Sequence, residues 1–447
     1  MRIFLLKNRV FWVCIILWVL ITLARLINHQ PWFDEAWAWI LVKNFHFGSI
    51  LSSLKYEGHF FVWYLLLLPF AKLNLWYPYS MLIMNWLCCF GAICLMWLYA
   101  PFNNWLKGFI TFSFPFLAYY SIIARCYSVG ILLLFVLCCL YKDKIKHPII
   151  YSVIIFLCAN TSLMALFGSL AFGILLIFDL FKNKQFKDLK ICFGIAFLSV
   201  VAFILQTVNV ETANIMPSMI NGISFKALIN PFFLPQIINI ILLIIFIACF
   251  LYGFYKDKKV LFFITLNYVL LLVFFKFVYA GSFWHHYFFY IYLICASWLA
   301  LSSENIENKS KQIITILLCI ISFIFIFDLH YEARIFNSQS YTVAQYLKTK
   351  QNSRLILFNP IYIPIVPYLN KENIDIFNQY ETEEYKEKPL DFSLLENIIT
   401  ENKTNYGCFY KELVQSLYKK NGKTIKFILD KNIADKYYIY RIEIIRY

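Results

Sequence analysis

Ionisable residues are so sparse in the first three quarters of this chain that they leave long apolar runs no soluble fold could shelter. About 20 apolar residues span the hydrocarbon core as a helix. By that measure candidate spans lie near 10–27, 60–73, 80–100, 108–123, 126–140, 148–162, 164–181, 190–207, 236–254, 260–279, 285–302 and 312–329. The chain is 61% hydrophobic and 15% charged, with a mean hydropathy of +0.67, which excludes both a soluble globular enzyme and a disordered protein. The expectation is an all-α polytopic membrane protein.

Charge divides the chain unevenly. Residues 331–447 hold 17 of the 40 Lys and Arg and 14 of the 25 Asp and Glu, so this tail is expected to be a water-soluble domain following a membrane domain at 1–330. Its pattern, helical over 341–348 and strand-like over 354–358, 361–366, 424–429 and 437–445, predicts a small α/β fold. Twelve of the 13 cysteines fall in or beside apolar spans, where Cys acts as a small hydrophobe, and Cys408 alone lies in the tail. The bases ahead of the first apolar run are not followed by a small-residue cleavage site, so that run is expected to be a retained helix.

A net charge of +15 would suggest nucleic acid in a soluble protein. Here the bases gather in short connectors at 141–147, 181–190, 255–259 and 302–311, the positive-inside pattern, and no nucleic-acid function follows. These connectors and the N-terminus are expected in the cytoplasm. The turn at 160–162, the loop 208–235, the turn at 281–286, the first loop at 28–59 and the tail are expected outside. Twelve spans conflict with an external tail, so one candidate between 60 and 140 should be re-entrant or divided, giving 11 or 13 transmembrane helices.

Acids are the sharpest clue, because ionisable groups in membrane proteins tend to be functional unless they solvate a connector. Asp143, Asp179, Asp188, Asp257, Glu304 and Glu307 sit in or beside the lysine connectors. The external side keeps Asp34, Glu35, Glu57, Glu211 and Asp328, three of them in the first loop. Trp32, Trp37 and Trp39 share that loop, predicting an interfacial helix that holds Asp34 and Glu35 at the lipid–water boundary. A carboxylate there can take the proton of an acceptor hydroxyl, a role that suits Asp34. His59, Arg125, Lys276 and His285 or His286 are basic candidates on the same side, with Glu57 beside His59. Each also has a plain alternative: a favourable charge at a helix start, or a long side chain snorkelling to the interface.

The run Pro31-Trp32-Phe33-Asp34-Glu35-Ala36-Trp37-Ala38, followed by Tyr56-Glu57-Gly58-His59, resembles the polyprenyl-phosphate-sugar-dependent glycosyltransferases of the GT-C superfamily, in particular the bacterial relatives of the dolichyl-phosphate-mannose protein mannosyltransferases. Ala124-Arg125-Cys126-Tyr127 is similar to the family's Ala-Arg-Pro-Tyr element, Ala159-Asn160-Thr161 to a recurring polar turn, and Trp284-His285-His286-Tyr287 to a basic element at an external helix start. The resemblance covers residues 1–330 and the external tail. It implies a multi-pass protein of a bacterial inner membrane that moves a sugar from a polyprenyl-phosphate carrier to an extracytoplasmic glycan, lipid or protein, with inversion. In those terms Asp34 and Glu35 are the catalytic candidates, and Glu57, His59, Arg125, Tyr127, Lys276, His285 and His286 the donor-phosphate or substrate-binding ones. A divalent metal held by Asp34 and Glu57 is one way to stabilise the departing phosphate, and the basic groups are the other. The competing readings are a transporter or flippase of lipid-linked or small substrates, which should carry its ionisable residues near mid-membrane in related repeats, and a catalytically inactive relative.

Overall fold

The computed structural model describes residues 9–44, 54, 59–207, 250–279, 281–326, 339–350, 353–358, 362–369, 374–377, 404–409, 417–420, 423–434 and 437–446. Glu57, Glu211, Asp328 and the loop 208–235 lie outside these residues. The helices are α1 (Arg9–Asn28), α2 (Phe33–Asn44), α3 (Phe61–Lys72), α4 (Tyr79–Tyr99), α5 (Asn104–Phe112), α6 (Tyr127–Leu140), α7 (Pro148–Ala159), α8 (Leu163–Lys182), α9 (Phe186–Thr207), α10 (Lys258–Phe277), α11 (Phe283–Ser302), α12 (Asn308–Ile324), α13 (Ser340–Lys348) and α14 (Tyr362–Ile365). Among the described residues, α1, α4, α8, α9 and α10 are long and apolar enough to cross a membrane. Only 6% of the most apolar stretch of α9 is buried, as expected of a helix that faces lipid.

The chain divides into two compact units. The first, residues 1–28, 45–69 and 81–332, is helical. One of its ends gathers the lysine connectors. Lys144 and Lys259 bind the two carboxylate oxygens of Asp179, at the foot of α8. Asp257 caps α10 by accepting the Lys259 and Val260 amides, and also accepts a bond of 2.6 Å from the Ser303 hydroxyl. Lys256 reaches Glu307 at 3.1 Å. The turn after α4 belongs here too, since Phe102 meets Trp298 near the end of α11.

The opposite end is closed by main-chain bonds. Phe60 and Val62 donate to the carbonyls of Thr161 and Asn160, each at 3.1 Å. Gln206, on the last turn of α9, accepts from the Phe61 amide at 2.8 Å and donates to Asn160 at 3.1 Å. Between α5 and α6 the chain forms a π turn, Pro115–Tyr119. Proline has no N–H and crowds the carbonyl four residues earlier, so α5 stops short of it. Trp18 then donates to the Phe116 carbonyl at 3.1 Å, supplying a partner inside the bundle. Close approach explains Gly168: a Cβ there would meet Leu134 and Tyr292 at 2.6 and 2.7 Å. The Gly168 amide donates to the Tyr292 hydroxyl, which in turn donates to the Met164 carbonyl.

The second unit joins 29–44 and 70–80 to residues 333–447, so α2 groups with the tail by its contacts. Its sheet comprises β1 (Arg354–Phe358), β2 (Ile374–Phe377), β3 (Asn405–Phe409), β4 (Leu417–Lys420), β5 (Lys423–Ile433) and β6 (Tyr437–Arg446), in the order β2-β1-β3-β6-β5-β4. β1 runs parallel to β2 and β3, and the other pairs are antiparallel. Val343, Ala344 and Leu347 of α13 pack into its core. The expected strand at 361–366 is α14 followed by a 3-10 turn, Val366–Tyr368, because Pro364 and Pro367 cannot donate to a ladder. β3 showed no alternation because all five of its residues are buried. Ala36 and Ile40 of α2 pack on Ile363 of α14. Tyr77 lies between Trp39 and Tyr368, with ring centroids 5.1 and 5.0 Å away.

Candidate functional site

In the helical unit, four of the sequence candidates meet at the end away from the lysines. His59 is set by its antiparallel bridge to Ser162. Arg125 ends a tight loop whose Tyr120 carbonyl accepts from Asn85 and Ser128, and Tyr127 opens α6. His285 is the third residue of α11 and forms a capping box with Ser282. Arg125 Nη2 lies 3.0 Å from His59 Nε2 and 3.2 Å from Nδ1. The Tyr127 hydroxyl stands 3.0 Å from His59 Nε2 and 2.8 Å from His285 Nε2.

The hydrogen positions follow from the partners. The Ser282 amide donates to His285 Nδ1 at 2.9 Å, so neutral His285 carries its proton on Nε2 and donates it to the Tyr127 oxygen. The Tyr127 oxygen thus accepts from His285 and stands beside His59. A guanidinium can only donate, so His59 turns an unprotonated nitrogen to Arg125. The cluster holds one permanent cation, two imidazoles and a phenol, and both Arg125 and His59 are at least 90% buried. Such a set suits an oxygen-rich anion, for which Arg offers directed, charge-assisted hydrogen bonds.

The other candidates distribute differently. His286 stacks on Phe275, centroids 4.3 Å apart and planes within 5°. Lys276, one residue beyond Phe275 on α10, is exposed. Consecutive helical residues point about 100° apart, so Lys276 turns away from the face that holds His286. Asn160 serves the turn, accepting from Gln206 and donating to Phe156. Glu57 lies outside the described residues.

Asp34 and Glu35 stand in the second unit, in the first turn of α2. Seven of the twelve residues of α2 are buried. The two acids differ. Asp34 is half-buried, whereas Glu35 has no exposed surface. His29 Nε2 lies 2.8 and 3.1 Å from the two Glu35 carboxylate oxygens, and the Trp32 amide donates to one of them at 3.0 Å. Burial, followed by the neighbouring Tyr368 and Glu35, holds the Tyr77 phenol well above its ordinary pKa. Burial and then Glu35 do the same to Tyr368.

Among the described residues no three His, Cys, Asp or Glu side chains stand together to hold a metal ion. The two histidines of the cluster are engaged by a phenol, and a guanidinium faces one of them, a poor setting for a divalent cation. Of the pair expected to hold a metal, Asp34 opens α2 and Glu57 lies outside the described residues. Sequence reasoning missed His29, Gln206 and Ser282. Gln206 carried a signal, being the one amide inside the apolar run 190–207. No protein-family model, curated protein or solved structure matches this chain.

Proposed function

We propose that this protein is an integral membrane glycosyltransferase that moves a sugar from a polyprenyl-phosphate carrier to an acceptor outside the cytoplasm. The observation that carries the reading is the buried cluster of Arg125, His59, Tyr127 and His285, one cation among three polar rings at the end of the bundle opposite the lysines. Its motif-level companion is the Asp34-Glu35 pair at the start of α2.

In this reading the lysine end is cytoplasmic and eleven spans cross the membrane: α1, α4, α5 with its π turn, α6 to α9, a span ending at 250–254, and α10 to α12. α3 does not cross. It starts at the closed end, where Phe61 binds Gln206, and α4 also starts there, with Asn85 on Tyr120 near its beginning and Trp97 on Lys107 near its lysine end. An odd count puts the tail outside.

Chemically, Asp34 takes the proton from an acceptor hydroxyl, whose oxygen attacks the anomeric carbon. The bond from that carbon to the phosphate oxygen breaks, and its electron pair leaves on the phosphate. A phosphodiester with one negative charge becomes a monoester with two, so Arg125, supported by the His59–Tyr127–His285 chain, binds the product side of the reaction more strongly than the donor. One displacement inverts the anomeric centre.

The test is mass spectrometry of envelope glycans and lipids from cells with wild-type protein, no protein, or Asp34→Asn at equal membrane abundance. Removing a positioned base costs on the order of 10²- to 10⁴-fold, so the sugar present with wild type should vanish with Asp34→Asn. Near-normal modification by Asp34→Asn would remove Asp34 as the base, and identical envelopes with and without the protein would remove the reaction.

A further inference from the structure

We infer that Glu35 and His29 form a positioning lock that fixes the first turn of α2 and so aims Asp34. The inference rests on the glycosyltransferase reading for the purpose of the lock and on geometry for its existence. Trp32 precedes α2 and Glu35 is its third residue. In that position a carboxylate can reach back to the amide of the capping residue, and the Glu35–Trp32 bond of 3.0 Å does so. The second carboxylate contact is to His29, itself 5% exposed, on the chain between α1 and α2.

Three backbone positions, 29, 32 and 35, are therefore held around one buried carboxylate, and Asp34 lies inside that span. The rest of the unit seats the same turn: Ser340 Oγ donates to the Pro31 carbonyl at 3.1 Å, and the Tyr341 amide to Gln30 Oε1 at 3.0 Å. Glu35 is spent on these contacts and points into its own unit among Tyr77 and Tyr368. Its job is then to hold the helix start, leaving proton transfer to its neighbour.

Positioning and base roles separate at Glu35→Gln. An amide still accepts from Trp32, and a neutral imidazole still donates one N–H to it, but an amide is no base. Full-length protein carrying Glu35→Gln, Glu35→Ala or His29→Ala would be compared at equal folded amount. By hydrogen exchange, the amides of 33–37 in Glu35→Ala should exchange at least about 10-fold faster, since a buried imidazole and an amide lose their acceptor, while those of α6 stay unchanged. By envelope mass spectrometry, Glu35→Gln should keep modification within about fivefold of wild type, while Glu35→Ala and His29→Ala lose about 10-fold or more.

Unchanged exchange in Glu35→Ala overturns the lock. Equal loss in Glu35→Gln and Glu35→Ala makes Glu35 a chemical group and overturns the positioning role. Faster exchange with no wild-type modification at all would sink the glycosyltransferase reading and the purpose of the lock with it, leaving its geometry standing.

Discussion

At the lysine end of the helical unit, charges close on one another: Asp179 takes both Lys144 and Lys259, Lys256 takes Glu307, and Asp257 caps a helix. At the far end Arg125, His59 and His285 meet around the hydroxyl of Tyr127. One end matches opposite charges, which stabilises a fold; the other sets one cation among two imidazoles and a phenol, the set that the proposed function assigns to a phosphate. Damage to the first should therefore be felt as lost stability, and damage to the second as lost chemistry.

Arg125→Gln should give the larger effect. Removing a donor aimed at developing charge costs about 10²- to 10³-fold in turnover, so modification measured by envelope mass spectrometry should fall by that order, with little change in the melting midpoint. A variant that melts early yet transfers normally would make Arg125 part of the scaffold. At the other end, Asp179→Asn leaves Lys144, whose side chain is 7% exposed, without a carboxylate. Breaking a buried pair by removing one partner costs about 3 kcal/mol, to be read from thermal unfolding in detergent, with transfer per folded molecule unaffected. Lost transfer without lost stability would reverse the contrast between the two ends.

The smallest effect concerns the sheet unit. Burial pushes the Asp430 carboxyl up, but hydrogen bonds from Tyr346 and Lys350 and the Lys350 charge outweigh it and hold the carboxyl below its ordinary value of 3.8. A depressed carboxyl stabilises above its unfolded pKa, and the gain is lost as pH falls through the folded value. Asp430→Asn should therefore cost under about 1 kcal/mol near neutrality, and the difference from wild type should close below pH 3.8. A gap that persists in acid would mean that the side chain acts through packing.

What could be read from the sequence follows physical range. The lysine connectors were legible because their charge pattern is local, and Asp34-Glu35 stood out because acids are scarce in residues 1–330 away from those connectors. Their difference in burial was not legible, since it depends on His29 reaching Glu35 and on Tyr77 and Tyr368 lying near it. β3 was missed because burial on both faces removes the alternation that marks a strand. Residues 361–366 misled because an apolar run reads as a strand until its prolines are counted. Gln206 binds Phe61 across 145 positions, a pairing that no local pattern encodes.

The bond from Ser340 to Pro31 joins positions 309 residues apart. A ribosome adding 5–20 residues per second takes roughly 15–60 s to cover that distance. For that interval the newly made chain carries its acidic helix without the residues that seat it. The Ser340 contact that seats Pro31 is thus deferred until the tail has been made, while the contacts of Glu35 with His29 and Trp32 are local. A segment made late in synthesis thus seats one made early.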